Sequence, residues 1–217
     1  MARNTRGRKR TVDKRKLRVL LLETQLPARL AASTRRQIPF MQELLRPFKG
    51  LELISERVHS RTDLRKFLDL ARRDPRIRVV HIVSHGEYSP KRPVIVLTGD
   101  EKINLGDSDG RRLFHDLRGK VILFSCCEVG DNDELMYSLL KTSNAKAIFA
   151  YTDTVTDAQA LIIEALFYHL VRRDLGKRDL ARTLERIHEQ LKFTLHFLGI
   201  DGNRDALTTP LLTAYLP

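Results

Sequence analysis

Two hydrophobic periods take turns along this chain. Short, nearly unbroken apolar runs of strand type alternate with longer stretches in which apolar residues return at helical spacing. LRVLLLE (17–23) reads as a buried strand, and STRRQIPFMQELLRPF (33–48) as a helix with Ser33 or Thr34 at its start and Pro47 near its end. LELISERV (51–58) is a second strand, followed by the amphipathic helix TDLRKFLDLARRD (62–74) with a Thr-Asp cap. IRVVHIVSHG (77–86), rich in β-branched residues, is a third strand ending at glycine. RPVIVLTGDEKINLG (92–106) predicts a small hairpin turning at Gly-Asp, and SDGRRLFHDLRG (108–119) a short helix. KVILFSCCE (120–128) and AKAIFAYTD (145–153) are the fourth and fifth core strands. Helices are expected over DNDELMYSLLKTSNA (131–145), TDAQALIIEALFYHLVRR (156–173) and RDLARTLERIHEQLKFTLHF (178–197), and a final edge strand over TPLLTAYLP (209–217).

Strands that alternate with helices imply parallel crossovers. The expected fold is therefore α/β: a three-layer α/β/α sandwich around a mostly parallel sheet of about six strands, forming one domain over 17–217. With 217 residues, 42% of them hydrophobic, the chain is long enough to bury a core without disulfides or metals. No apolar run approaches membrane-spanning length, and VLLL is cut off by Glu23, too short for a signal-peptide core. With only two cysteines, and those adjacent, two thiols in a reducing cytoplasm are expected rather than a disulfide.

Charge adds one feature. The net charge is +12, and eight Lys or Arg fall within residues 1–16, which read as a solvated, disordered tail. A nucleic acid or an acidic partner could meet that tail, but no aromatic interleaves its charges, so nucleic acid is not the favoured partner. No zinc spacing and no Gly-rich phosphate loop occurs, so neither metal nor cofactor is expected.

In open α/β sheets chemistry collects beyond the carboxyl ends of the strands. The third strand ends in Ser84-His85-Gly86, the fourth in Ser125-Cys126-Cys127-Glu128. If those strands are neighbours, an imidazole and a thiol emerge at one edge, an arrangement that activates a nucleophile. The N–H groups of Gly86 and Cys127 could then form an oxyanion hole. Alternation along the strand sends one cysteine to the crevice and one to the core; Cys127 is expected at the rim and Cys126 behind it. Free cysteines are also common core residues, so spacing alone leaves a purely structural pair open.

IVSHGE followed by VILFSCCEVG resembles the CHAT domain, a branch of the caspase-like peptidases that include caspases, separase and gingipain. His85 and Gly86 match the family's His-Gly motif, and residues 125–130 its nucleophile turn, with Cys127 at the nucleophile position. AKAIFAYTDTVTDAQALIIEALFYHLV is similar to the strand, loop and helix that follow. The resemblance runs from about residue 75 onward; earlier residues fit by element order only. Two positions depart from it: Cys126 stands where a small Ala is usual, and Asp153 where an aromatic is usual. It implies a caspase-like fold and a cysteine endopeptidase with a Cys127–His85 dyad, acting on a protein or peptide substrate. It further implies an activating sensor or partner protein and a role as a regulated effector in bacterial defence or cell death. Ser125 and Asp153 are the implied substrate-binding positions, and an acid at 153 suits cleavage after Arg or Lys. The alternative reading is that Asp153 and Asp157 serve the N-terminus of the next helix, where Thr156 and Gln159 suit a capping box. A catalytically inactive scaffold on the same fold, and a basic nucleic-acid-binding protein, are the rival functions.

Overall fold

Six strands form the main sheet of the computed structural model, which describes residues 16–24, 37–87, 93–98, 101–172, 175, 180–200 and 211–217. Apart from Lys16, the basic segment 1–16 lies outside the described residues, as do the start of the helix expected from Ser33 and the Gly99-Asp100 turn. In chain order the elements are β1 (Leu17–Thr24), α1 (Gln37–Leu45), β2 (Leu51–Val58), α2 (Arg61–Arg73), β3 (Ile77–Val83), β4 (His85–Glu87), β5 (Val94–Val96) and β6 (Lys102–Asn104). They continue as α3 (Ser108–Arg112), β7 (Val121–Ser125), α4 (Asp133–Ser143), β8 (Ala147–Tyr151), α5 (Asp157–Val171), α6 (Leu180–Phe197) and β9 (Leu212–Tyr215).

The sheet order is β2-β1-β3-β7-β8-β9, parallel throughout except for the antiparallel edge strand β9. β1, β3, β7 and β8 are almost wholly buried, which is why they read as continuous apolar runs rather than alternating ones. Successive side chains feed opposite faces. Leu20, Val80, Ile122 and Ile148 pack with Leu64 and Leu68 of α2 and Met136 and Leu139 of α4. Leu21, Val79, Leu123 and Phe149 pack with Met41 of α1, Phe167 of α5 and Leu184 of α6. These two cores make the three-layer α/β/α sandwich.

Three elements depart from the sequence expectation. The strand read as continuous to Gly86 stops at Val83, and His85–Glu87 turns away to pair with β5 in a second, three-stranded sheet β4-β5-β6. Ser84 makes the corner: its hydroxyl donates to the carbonyl of Val96 and accepts from Thr24 Oγ1 at 3.2 Å. The cap of α2 is Ser60 rather than Thr62, because a full capping box with Asp63 satisfies two end groups together. The helix expected over 108–119 is helical only for Ser108–Arg112, its remainder being turns. Among the described residues no helix is long and apolar enough to cross a membrane.

Candidate active site

β3 and β7 are neighbours, in register from Val79 opposite Val121 to Val83 opposite Ser125. Their carboxyl ends therefore open at one edge of the sheet. Ser84 extends the ladder by donating its N–H to the carbonyl of Ser125 at 3.3 Å. One residue further, two main chains meet. A Cβ on Gly86 would lie 1.8 Å from the carbonyl oxygen of Cys127 and 2.7 Å from its nitrogen. Only a glycine fits there, and the fit brings the His85-Gly86 segment directly against the peptide of Cys127.

The two cysteines divide as alternation requires. Cys126 is buried, with its sulfur 3.7 Å from the carbonyl of Ile82. Cys127 is half-buried, and its Sγ accepts the N–H of Val155 at 3.4 Å while its S–H points to the carbonyl of Val155 at 3.7 Å. Glu128 follows with φ +60, left-handed backbone that costs a non-glycine residue roughly 1 kcal/mol or more. That conformation folds the turn onto the end of β8: Glu128 N–H donates to the carbonyl of Asp153 at 3.2 Å, and Gly130 N–H to that of Tyr151 at 2.7 Å. Tyr215 of β9 donates to the carbonyl of Gly130 and contacts Asp133 at 3.1 Å. Burial, and then the charge of Asp133, holds its phenol far above the ordinary range.

His85 is half-buried at the start of β4, opposite Val96. Asp153 is half-buried in the loop after β8, on the same rim, and its Oδ1 accepts the N–H of Thr154 at 2.7 Å. The hydroxyl of Thr154 donates in turn to Glu128 at 2.8 Å. Two carboxylates, Glu128 and Asp153, thus flank the thiol loop. Thr156 and Gln159 do form the capping box of α5, with Asp157 in its first turn.

Ser125 stands elsewhere. Its side chain is buried and donates to the carboxylate of Glu164, so it faces the core beneath the crevice, and its reach to the rim runs through its main chain. Glu164 is a residue that the sequence reading passed over. It is fully buried on α5 and also accepts from Gln37 and, at 3.4 Å, from Tyr151. His81 Nε2 lies 3.7 Å from it, and the other ring nitrogen of His81 contacts the Tyr168 hydroxyl at 3.1 Å. Burial, followed by the Glu164 charge, pushes the Tyr168 phenol well up. A lone acid in the apolar run ALIIEALFYHLV was the available signal for this network.

Comparison with solved structures shows which architecture this is. The chain superposes on caspase-1 from Spodoptera frugiperda with a TM-score of 0.54, over 93% of this chain and 86% of that one, at 11% identity.

The fold is caspase-like.

No protein-family model and no curated protein matches the sequence. At so low an identity the likeness to caspase-1 speaks for the caspase-like fold alone. Chemistry rests on the residues at the sheet edge.

Proposed function

We propose that this chain is a cysteine endopeptidase of CHAT type. One observation carries the proposal: the glycine-only contact that sets the His85-Gly86 segment against Cys127 at the carboxyl edge of a parallel sheet. A structural thiol has no need of a histidine-glycine segment folded out of the main sheet to meet it.

In the proposed reaction His85 takes the proton of Cys127 as the thiolate attacks the scissile carbonyl carbon. The oxyanion is received by the N–H groups of Gly86 and Cys127. Collapse breaks the peptide C–N bond, and His85 returns its proton to the leaving amine. A water, deprotonated by His85, then attacks the thioester; the product carboxylate leaves and the thiol is restored. Held donors and a matched base are worth several orders of magnitude in rate.

Substrate choice follows charge. Asp153 and Glu128 at the rim favour a basic residue before the scissile bond and oppose an acidic one. The CHAT resemblance of the two motifs adds a regulated effector role in bacterial defence or cell death, switched on by a partner protein. The test is digestion of a peptide library by the wild-type chain and by Cys127→Ala, read by mass spectrometry. Cleavage after Arg or Lys that vanishes in the variant is expected. Identical digests, together with Cys127 no more reactive than a free thiol, would favour the scaffold reading.

A further inference from the structure

The opposite edge of the sheet carries charge that the proposed chemistry leaves unused. At the amino ends of the parallel strands stand Lys16 and Arg18 (β1), Arg76 and Arg78 (β3), Lys120 (β7) and Lys146 (β8). They are neighbours through the ladder: Arg18 N–H donates to the Arg76 carbonyl at 2.7 Å, and Lys146 N–H to the Lys120 carbonyl at 2.7 Å. Two carboxylates at this edge are already engaged. Asp74 binds Arg18 at 2.6 Å and Arg76 at 3.0 Å, and Glu52 binds Arg18 at 2.6 Å.

Arg78 is left over. It is the extra residue of a bulge, since Arg18 pairs with Ile77 while the next residue, Val19, pairs with Val79. A bulge re-aims the side chain it carries. The Nε of Arg78 is shielded from water with no hydrogen-bond partner, and no carboxylate pairs with its guanidinium among the described residues. Beside it Lys120, only 4% exposed, reaches the carbonyl of Asp74 at 2.8 Å. Burial, and next the positive charge of Arg78, pushes the Lys120 ammonium below its ordinary range. Two cations crowded together with an orphaned N–H is an arrangement that an anion relieves.

We infer that this edge is a docking surface for the phosphate backbone of a nucleic-acid duplex, with Arg78 as its central phosphate contact. Three features favour that partner. The planar fork of Arg suits phosphate oxygens. Lys16, Arg78 and the exposed Lys146 stand at the amino ends of three strands of one sheet edge, spaced as an extended row of charges. The ring of Phe48, just before the amino end of β2, is taken up by the Arg172 guanidinium at 4.3 Å, which fits backbone contact with a duplex rather than base stacking on a single strand. The surface lies at the other end of the strands from Cys127, so a duplex bound there leaves the crevice open.

The test uses the full chain and a fluorescent duplex of arbitrary sequence, with affinity measured by anisotropy across a salt series. Arg78→Gln and the exposed Lys146→Gln should each weaken binding and lower the slope of log affinity against log salt by about one, the signature of one lost phosphate contact. Arg78→Lys should restore part of the affinity and most of the slope. Unchanged melting temperatures exclude misfolding, and Lys146 offers a variant whose side chain supports no core. The inference is overturned if the double variant binds with wild-type affinity and slope, if no duplex binding appears at low salt, or if polyglutamate competes as well as unlabelled duplex.

Discussion

Replacing Gly86 with alanine is the most direct probe of the caspase-like crevice. The added Cβ would lie 1.8 Å from the Cys127 carbonyl oxygen, where ordinary contact begins at 3.4 Å. Both partners are main chain, so neither can rotate aside; the two segments must separate by the difference, about 1.6 Å. Overpacking of this kind costs about 1–3 kcal/mol when side chains can yield, and a backbone-on-backbone clash belongs at or above the upper end. Displacing a reacting group by roughly 1 Å can cost 10²-fold in rate. Gly86→Ala should therefore lose about 3 kcal/mol in urea unfolding and slow alkylation of Cys127 by a peptide electrophile about 100-fold. Two controls calibrate it. Gly50→Ala, with nothing within 4 Å of its Cβ, should be neutral. Gly130→Ala, 3.0 Å from the Cβ and carbonyl oxygen of Ala150, should fall between. Wild-type stability and wild-type Cys127 reactivity in Gly86→Ala would refute the reasoning, and with it the contact on which the proposed dyad stands.

Three further outcomes are expected. Cys127→Ala should abolish peptide cleavage while Cys126→Ala retains most of it, at a cost of about 1 kcal/mol for the small cavity behind the turn; equal loss in two folded variants would contradict the division of roles. Asp153→Ala should reduce cleavage after Arg or Lys by about 10- to 100-fold, the kinetic equivalent of one charge-assisted hydrogen bond, in peptides that differ only before the scissile bond; an unchanged preference would remove Asp153 from specificity. Asp74→Asn should lower stability near pH 7 by about 1.5–3 kcal/mol. Hydrogen bonds from Arg76, and then from Arg18, hold the Asp74 carboxyl well below the usual range, so its contribution is full above about pH 4, the ordinary carboxylate value, and fades as pH falls further. The variant's stability should accordingly vary less than the wild type's on the acid side.

Buried parallel strands announce themselves, because apolar runs bounded by turn residues have few other uses; β1, β3, β7 and β8 were legible for that reason. The approach of Gly86 to the main chain of Cys127 was legible through one assumption, that β3 and β7 are neighbours. Features set by tertiary contact were not. Nothing local marks Ser84 as a corner, since its hydroxyl is used by Val96 and Thr24, far off in sequence. Ser125 looked like a rim residue by position, yet its side chain answers to Glu164 on a helix formed much later in the chain. The bulge at Arg78 exists only relative to β1 and has no signature in IRVVHIV itself.

The bond from Tyr215 to Gly130 has a consequence in time. β9 is made long after the Cys127 turn, yet it braces that turn, through Gly130 and Asp133. Until it docks, β8 has an open edge and the phenol that clasps the turn is missing. A growing chain therefore holds an unbraced Cys127 loop until β9 is made and laid against β8. Assembly order alone then keeps the Cys127 turn slack until β9 has docked against β8.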